Sequence, residues 1–224
     1  MSARLFMKAT QNTSYQILQA FLDHGWDINT PIDSNTPPGL AFSYHDADLT
    51  MWFLAHGANP NQRCDKDCTP LSVAFEVASF EIIQILLDHG ASLSQGQVMH
   101  YAAVRQFDDR LQVLEFLLEK GLPINNIMYQ DSEDYNANMF SGIGTPLHYA
   151  AERGLLDSVE LLVERGASTR IRDPAGQIAL EWAEFNNQKA VVDFLRPLSV
   201  GNDSQSVAQF TDEPGRHFTT TPLE

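Results

Sequence analysis

Apolar residues in this chain recur at helical spacing in short runs, and each run ends on a glycine. The runs ILQAFLDHG, TMWFLAHG, IIQILLDHG, LEFLLEKG and VELLVERG stop at Gly25, Gly57, Gly90, Gly121 and Gly166. Each predicts a helix with one face to bury. The closing glycine supplies the left-handed turn just past the helix end, where a side chain would be strained. Successive glycines lie 32, 33, 31 and 45 residues apart. A second helical segment precedes most runs, opened by Thr36-Pro37, Thr69-Pro70 or Thr145-Pro146. In such a pair the Thr hydroxyl caps the helix, and Pro in the first turn forfeits no bond it needed. A lone helix pair cannot bury its apolar face, whereas stacked pairs bury it mutually.

The most regular copy is Gly144–Gly176, GTPLHYAAERGLLDSVELLVERGASTRIRDPAG. Its T-P-L-H-x-A-A opening, amphipathic segment and Gly166-Ala167 pair resemble the ankyrin repeat, and degraded copies carry the resemblance from Arg4 to Leu198. The resemblance implies an all-α solenoid of paired antiparallel helices joined by short hairpins. Its repeats fall at 4–35, 36–68, 69–96, 97–144, 145–177 and 178–198, one domain over 1–198, followed by a polar tail at 199–224 expected to be disordered. The first copy has Leu5-Phe6 where Pro-Leu would stand and keeps Ala9. The sixth is expected to stop at Pro197.

Three departures break the period. The turn from Asn29 to Thr36 is one residue shorter than that from Asn61 to Thr69. The fourth copy opens on Gln97-Val98-Met99-His100-Tyr101-Ala102-Ala103 without Thr-Pro. Only Ser94-Gln95-Gly96 precedes it, so the protruding finger is missing, and Phe107–Arg110 lengthens the link between its helices by about three residues. The run from Asn125 to Thr145 takes 20 residues against 8 from Asn61 to Thr69, so about 12 are inserted into one hairpin.

Candidate chemistry is sparse. His24, His56 and His89 share one slot before the closing glycine, where an imidazole can bond the last helical carbonyls and meet the negative end of the dipole. The resemblance implies that His100 and His148 are buried hydrogen-bonding elements between repeats. His148 and Glu152 share a helix face but have no third or fourth ligand. Cys64 and Cys68 stand four apart in a turn without the second pair that zinc requires, and read as turn filling. Asp67 takes a position where glycine is usual. The chain has no G-x-S-x-G, P-loop, H-E-x-x-H or G-x-G-x-x-G, so a non-enzyme without cofactor or metal is expected.

Fourteen basic residues against 29 acidic ones give a net charge of −15. That balance disfavours nucleic acid and anionic lipid and suits a basic protein partner. No apolar leader opens the chain and no run is long enough to span a bilayer, so a soluble monomer in the cytoplasm and/or nucleus is expected.

The insert is the candidate binding element. Met128, Tyr129, Tyr135, Met139 and Phe140 alternate with Asp131, Glu133 and Asp134, a mixture suited to a basic or amphipathic protein segment. Arg170 and Arg172 on the next hairpin join the candidate surface. In a second arrangement they pair with the insert's acids while its aromatics cover the gap left by the missing Ser94–Gly96 finger. The resemblance implies a binding face made of fingers and first helices, hence a scaffold, adaptor or inhibitor. Two other readings are a small ligand under a roof at 126–144 and self-assembly through Trp52, Phe53 and Phe75.

Overall fold

A computed structural model describes residues 2–65, 67–130 and 143–200. Among them eleven α-helices form two rows. The inner row is α1 (Ala3–Gln11), a 3-10 turn (Gly39–Phe42), α4 (Pro70–Val77), α6 (Val98–Ala103), α8 (Pro146–Glu152) and α10 (Ala179–Phe185). The outer row is α2 (Tyr15–Asp23), α3 (Ala47–Ala55), α5 (Phe80–Asp88), α7 (Arg110–Glu119), α9 (Leu156–Glu164) and α11 (Lys189–Val200). Neighbouring inner helices stack on one another, and α3 on α5, α7 on α9 and α9 on α11 continue the outer row. One apolar core runs from Phe6 through Phe53, Leu71, Leu86, Leu114 and Leu147 to Leu195. This is the all-α ankyrin solenoid expected of the sequence. Phe53 and Phe75 are fully buried in the core, so they are not available as self-assembly contacts.

The helix ends follow local chemistry. Gly57 and Gly90 close α3 and α5 at φ 87° and 86°. Beside them the imidazoles of His56 and His89 engage the carbonyls of Trp52 and Ile85 at 2.7 and 2.8 Å, as His24 does with Ala20. Thr69 caps α4 by accepting from the Ser72 amide at 3.1 Å while the Ser72 hydroxyl accepts from the Thr69 amide. Thr145 and His148 form the corresponding box at α8.

Thr36-Pro37 does not open a helix. Thr36–Pro38 is a strand, β2, paired antiparallel with β1 (Pro31–Asp33), and the helical turn starts at Gly39. Two consecutive prolines favour extended backbone. The first finger is thereby one residue longer than the second, measured to the cap, and not one shorter. A side chain at 39 could not fit, since a Cβ there would lie 2.6 Å from the Phe6 ring. The last helix likewise passes Pro197 and continues to Val200. The carbonyl that loses its donor belongs to Asp193, which is exposed and open to water.

A repeated staple sets the finger spacing. The Asn29 side-chain amide donates to the Gly57 carbonyl at 3.0 Å and its oxygen accepts from the Asn59 amide at 2.7 Å. Asn61 does the same to Gly90 and Ser92, and Asn125 to Gly166 and Ser168. The third junction lacks it. There the slot holds Ser94, and the residue two past Gly121 is Pro123, which has no N–H to give.

Candidate interaction surface

The inner helices turn a row of aromatic residues towards the fingers. Tyr44 donates its hydroxyl to the Pro70 carbonyl at 2.6 Å, tying the second repeat to the third. Tyr149 packs edge-on against Trp182 at 5.5 Å, and Trp182 donates its indole N–H to Asp173 at 2.8 Å. Asp173 also accepts the Gln177 amide at 2.7 Å, which shapes the last finger. Glu76 is half-buried on this face. Burial raises its carboxyl above the usual range, with the Arg153 charge pulling the other way.

The two motif histidines differ. In His148 one ring nitrogen meets the Thr145 hydroxyl at 2.8 Å and the other the Gln177 carbonyl at 3.1 Å. Burial holds its pKa below the ordinary value. His100 has Gln97 in place of the capping Thr, and Gln97 is left-handed at φ 59°. Its Nε2 donates to the Asn126 carbonyl at 2.9 Å, and among the described residues no hydrogen bond of normal geometry reaches its buried Nδ1. Burial pushes the His100 pKa down to about 4, so the ring is neutral.

The root of the insert packs on the chain itself. Met128, Tyr129 and Ile143 are buried in a second small cluster with Ile127, Tyr101 and Tyr149. Tyr149 donates its hydroxyl to the Met128 sulfur at 3.2 Å, and the Met128 amide donates to the Gly144 carbonyl at 3.0 Å, closing the neck. Met128 and Tyr129 were expected among the exposed recognition residues. Their burial over Tyr101 and Tyr149 places them in packing, because the missing neighbouring finger leaves that aromatic surface uncovered. Asp131, Glu133, Asp134, Tyr135, Met139 and Phe140 lie outside the described residues. Arg172 donates to the Gly176 carbonyl of its own finger at 2.5 Å and sits 3.8 Å from Glu181 in the first turn of α10. Arg170 is exposed beside it.

Where the third finger would stand there is an open cleft of about 1020 Å³. Its walls are the second finger (Arg63, Asp65, Asp67) and the insert root (Asn126, Ile127, Gln130), with Gln95 and His100 between. Gln97 spans it, donating to Asp67 at 2.8 Å and accepting from the Tyr129 amide at 3.2 Å. Cys64 and Cys68 are buried at the base of the second finger and not joined in a disulfide, and the Cys64 amide donates to the Cys68 carbonyl at 3.1 Å. Contact with the Cys64 side chain, then burial, raises the Cys68 thiol well above its usual pKa, which makes it a poor nucleophile.

Sequence reasoning missed two of these devices. Gln97 as a bridge has no sequence signal beyond the loss of Thr. Arg105 is fully buried, clasps Asp109 at 2.7 and 2.8 Å, donates to the Phe75 carbonyl at 3.2 Å and lies over the Phe107 ring at 4.5 Å. From the lengthened link Phe107 and Asp109 close over this cation. A basic residue just before an unexplained lengthening was the available clue.

Comparison with known proteins gives a consistent picture. A family model described as "Ankyrin repeats (3 copies)" matches residues 5–96, 40–131 and 99–206. The chain is 24% identical over 73% of its length to the transient receptor potential cation channel subfamily A member 1 of Homo sapiens. It is 45% identical over 25% of its length to "Probable E3 ubiquitin-protein ligase XBOS33" of Oryza sativa subsp. japonica. It is 34% identical over 35% of its length to palmitoyltransferase Hip14 of Drosophila melanogaster. The matched segments span only 17%, 11% and 10% of those proteins.

Proposed function

The chain belongs to the ankyrin-repeat family, and from that premise we propose that it is a non-catalytic scaffold, adaptor or inhibitor that holds a basic protein segment along its inner helices and fingers. Repeats of this kind are in general protein-interaction modules. The observation that carries the finer reading is unneutralised acidity. Among the described residues six Arg–carboxylate pairs are formed, against 22 acidic and 12 basic side chains over the same residues. A surface with that surplus attracts a basic partner and repels nucleic acid. The chain works as a monomer in the cytoplasm or nucleus, and the acids and aromatics of the insert beyond Gln130 supply part of the contact.

The alternative of a small ligand roofed by 126–144 over the fourth and fifth repeats has less support. There Met128 and Tyr129 lie directly on Tyr101 and Tyr149. Proximity labelling with the full chain, followed by binding of the recovered partner at increasing salt, tests the proposal. The expected partner carries a Lys/Arg-rich segment, and its affinity drops steeply as salt rises. Salt-insensitive binding, or a partner whose capture survives Tyr135→Ala, Met139→Ala and Phe140→Ala together with charge reversal of the fingers, overturns it.

A further inference from the structure

We infer that the gap between the second finger and the insert root is a docking slot in which a short extended segment of the partner takes the place of the missing third finger. The inference deepens the interaction reading above and rests on it. Its first support is the paired loss at one junction. At the other finger junctions named above, an Asn side chain links a finger to the next repeat through a glycine carbonyl and an amide N–H. At the third junction Ser94 has replaced the Asn and Pro123 has replaced the donor, and among the described residues no side chain reaches the Gly121 carbonyl. Both halves of the staple are gone together, so the Asn link that closes the other junctions is missing here, and the Gln97 bridge crosses the cleft without filling it.

The second support is the chemistry of the walls. Six lining residues, Asn61, Gln62, Gln95, Gln97, Asn126 and Gln130, carry side-chain amides, and an amide offers a donor and an acceptor side by side, the pair that a peptide unit of extended backbone needs. Gln97 is committed to Asp67 and Tyr129. The amides of Gln95 and Asn126 make no hydrogen bond among the described residues, and Gln130 uses only its oxygen, towards the Ile127 amide at 2.8 Å. Apolar lining comes from Leu93, Val98, Met99, Leu122, Pro123 and Ile127. A volume of about 1020 Å³ lies at the upper end of the range for small-molecule pockets, and this space is partly open to solvent, so a segment of a larger partner can enter it. On the wall Asp65 and Asp67 stand against Arg63, and this balance with the net charge of −15 favours neutral or basic side chains on that occupant.

The test pans a display library of random linear heptapeptides against the full chain and measures the selected peptides by fluorescence anisotropy. Two kinds of variant accompany the wild type. In one the missing finger is restored by inserting a hairpin with the sequence of residues 62–66 between Ser94 and Gln95. In the other, Gln95→Ala and Asn126→Ala are combined, which removes the free amides from exposed or half-exposed positions and leaves the core untouched. Thermal melts establish that each variant is folded. Expected are peptides without a strict side-chain consensus, with binding abolished by the restored finger and weakened about fivefold or more by the amide pair, the loss of one or two net hydrogen bonds. Peptides that bind the restored-finger chain as well as the wild type overturn the slot while leaving the interaction reading intact. A library that yields no binder overturns the slot, and partner capture in cells then decides the broader reading separately. Should the restored-finger chain fail to fold, unchanged affinity in the amide pair suffices to overturn the proposal.

Discussion

At the scale of single residues, two buried histidines make this fold sensitive to acid. His100 titrates at about 4 in the folded chain against about 6.5 when unfolded. The folded value is depressed, so between those limits the unfolded chain binds the extra proton. Stability is complete above about pH 6.5 and falls as pH drops to about 4, by about 3 kcal/mol from His100 alone. His148 shifts in the same direction, and Asp157, held low by its hydrogen bonds to Arg110, adds a loss at the acid end. Urea midpoints between pH 7 and 4.5 check this. His100→Asn should flatten the decline, and an equally steep profile in that variant refutes the assignment. Arg105 offers a second test. Arg105→Ala removes a fully buried cation from Asp109 and Phe75 and leaves a cavity, so a loss of about 3 kcal/mol is expected by chemical denaturation. A change below about 1 kcal/mol would place the stabilisation elsewhere.

At the scale of elements, the insert root is held by few bonds, and Gln97 makes the one that crosses the cleft. Gln97→Ala leaves the Tyr129 amide without that acceptor. Amide exchange at 126–130 should then quicken by about fivefold to tenfold while α8 and α9 keep their protection. Equal exchange in both chains means that the small cluster of Met128, Tyr129 and Ile143 holds the root by itself. How far such elements could be read from the chain varies. The closing glycines, the imidazole caps and the Thr69 and Thr145 boxes depend on residues within one helical turn, and the sequence displays them. The start of the second repeat was misread because Thr36-Pro37 imitates a cap. The second proline, Pro38, holds the stretch extended, and the approach of Phe6 then requires glycine at 39, a contact made across 33 residues. For Met128 and Tyr129 the chain left display and self-packing both open, since their burial depends on aromatic surface that only the stacked inner helices bring together.

At the scale of the whole molecule, a single core runs through every repeat, and the last helix pair covers the fifth repeat. Removing residues 177–224 would strip Trp182 from Tyr149 and His148 and expose the apolar faces of α8 and α9. Such a chain should melt at least about 10 °C lower than the full one and associate on size exclusion, because a terminal repeat with a wet outer face is what keeps an array soluble. A monomer that melts unchanged would show that the sixth repeat caps nothing. By contrast, surface ion pairs such as Arg165–Glu115 and Arg196–Glu184 should contribute little, each being exposed on both sides.

The sequence by itself determined the repeat, its period and its acidic balance, because these rest on spacing and composition that survive in a linear string. It also marked the third junction as irregular and the fourth hairpin as long. Only the tertiary structure decided what those irregularities do. The gap between fingers became a cleft because Ser94 and Pro123, 29 residues apart, both fail at one interface. The root of the long hairpin became packing and not display because Tyr101 and Tyr149, from separate repeats, converge beneath it. Local rules fix each helix pair, whereas the surfaces between pairs are products of their stacking.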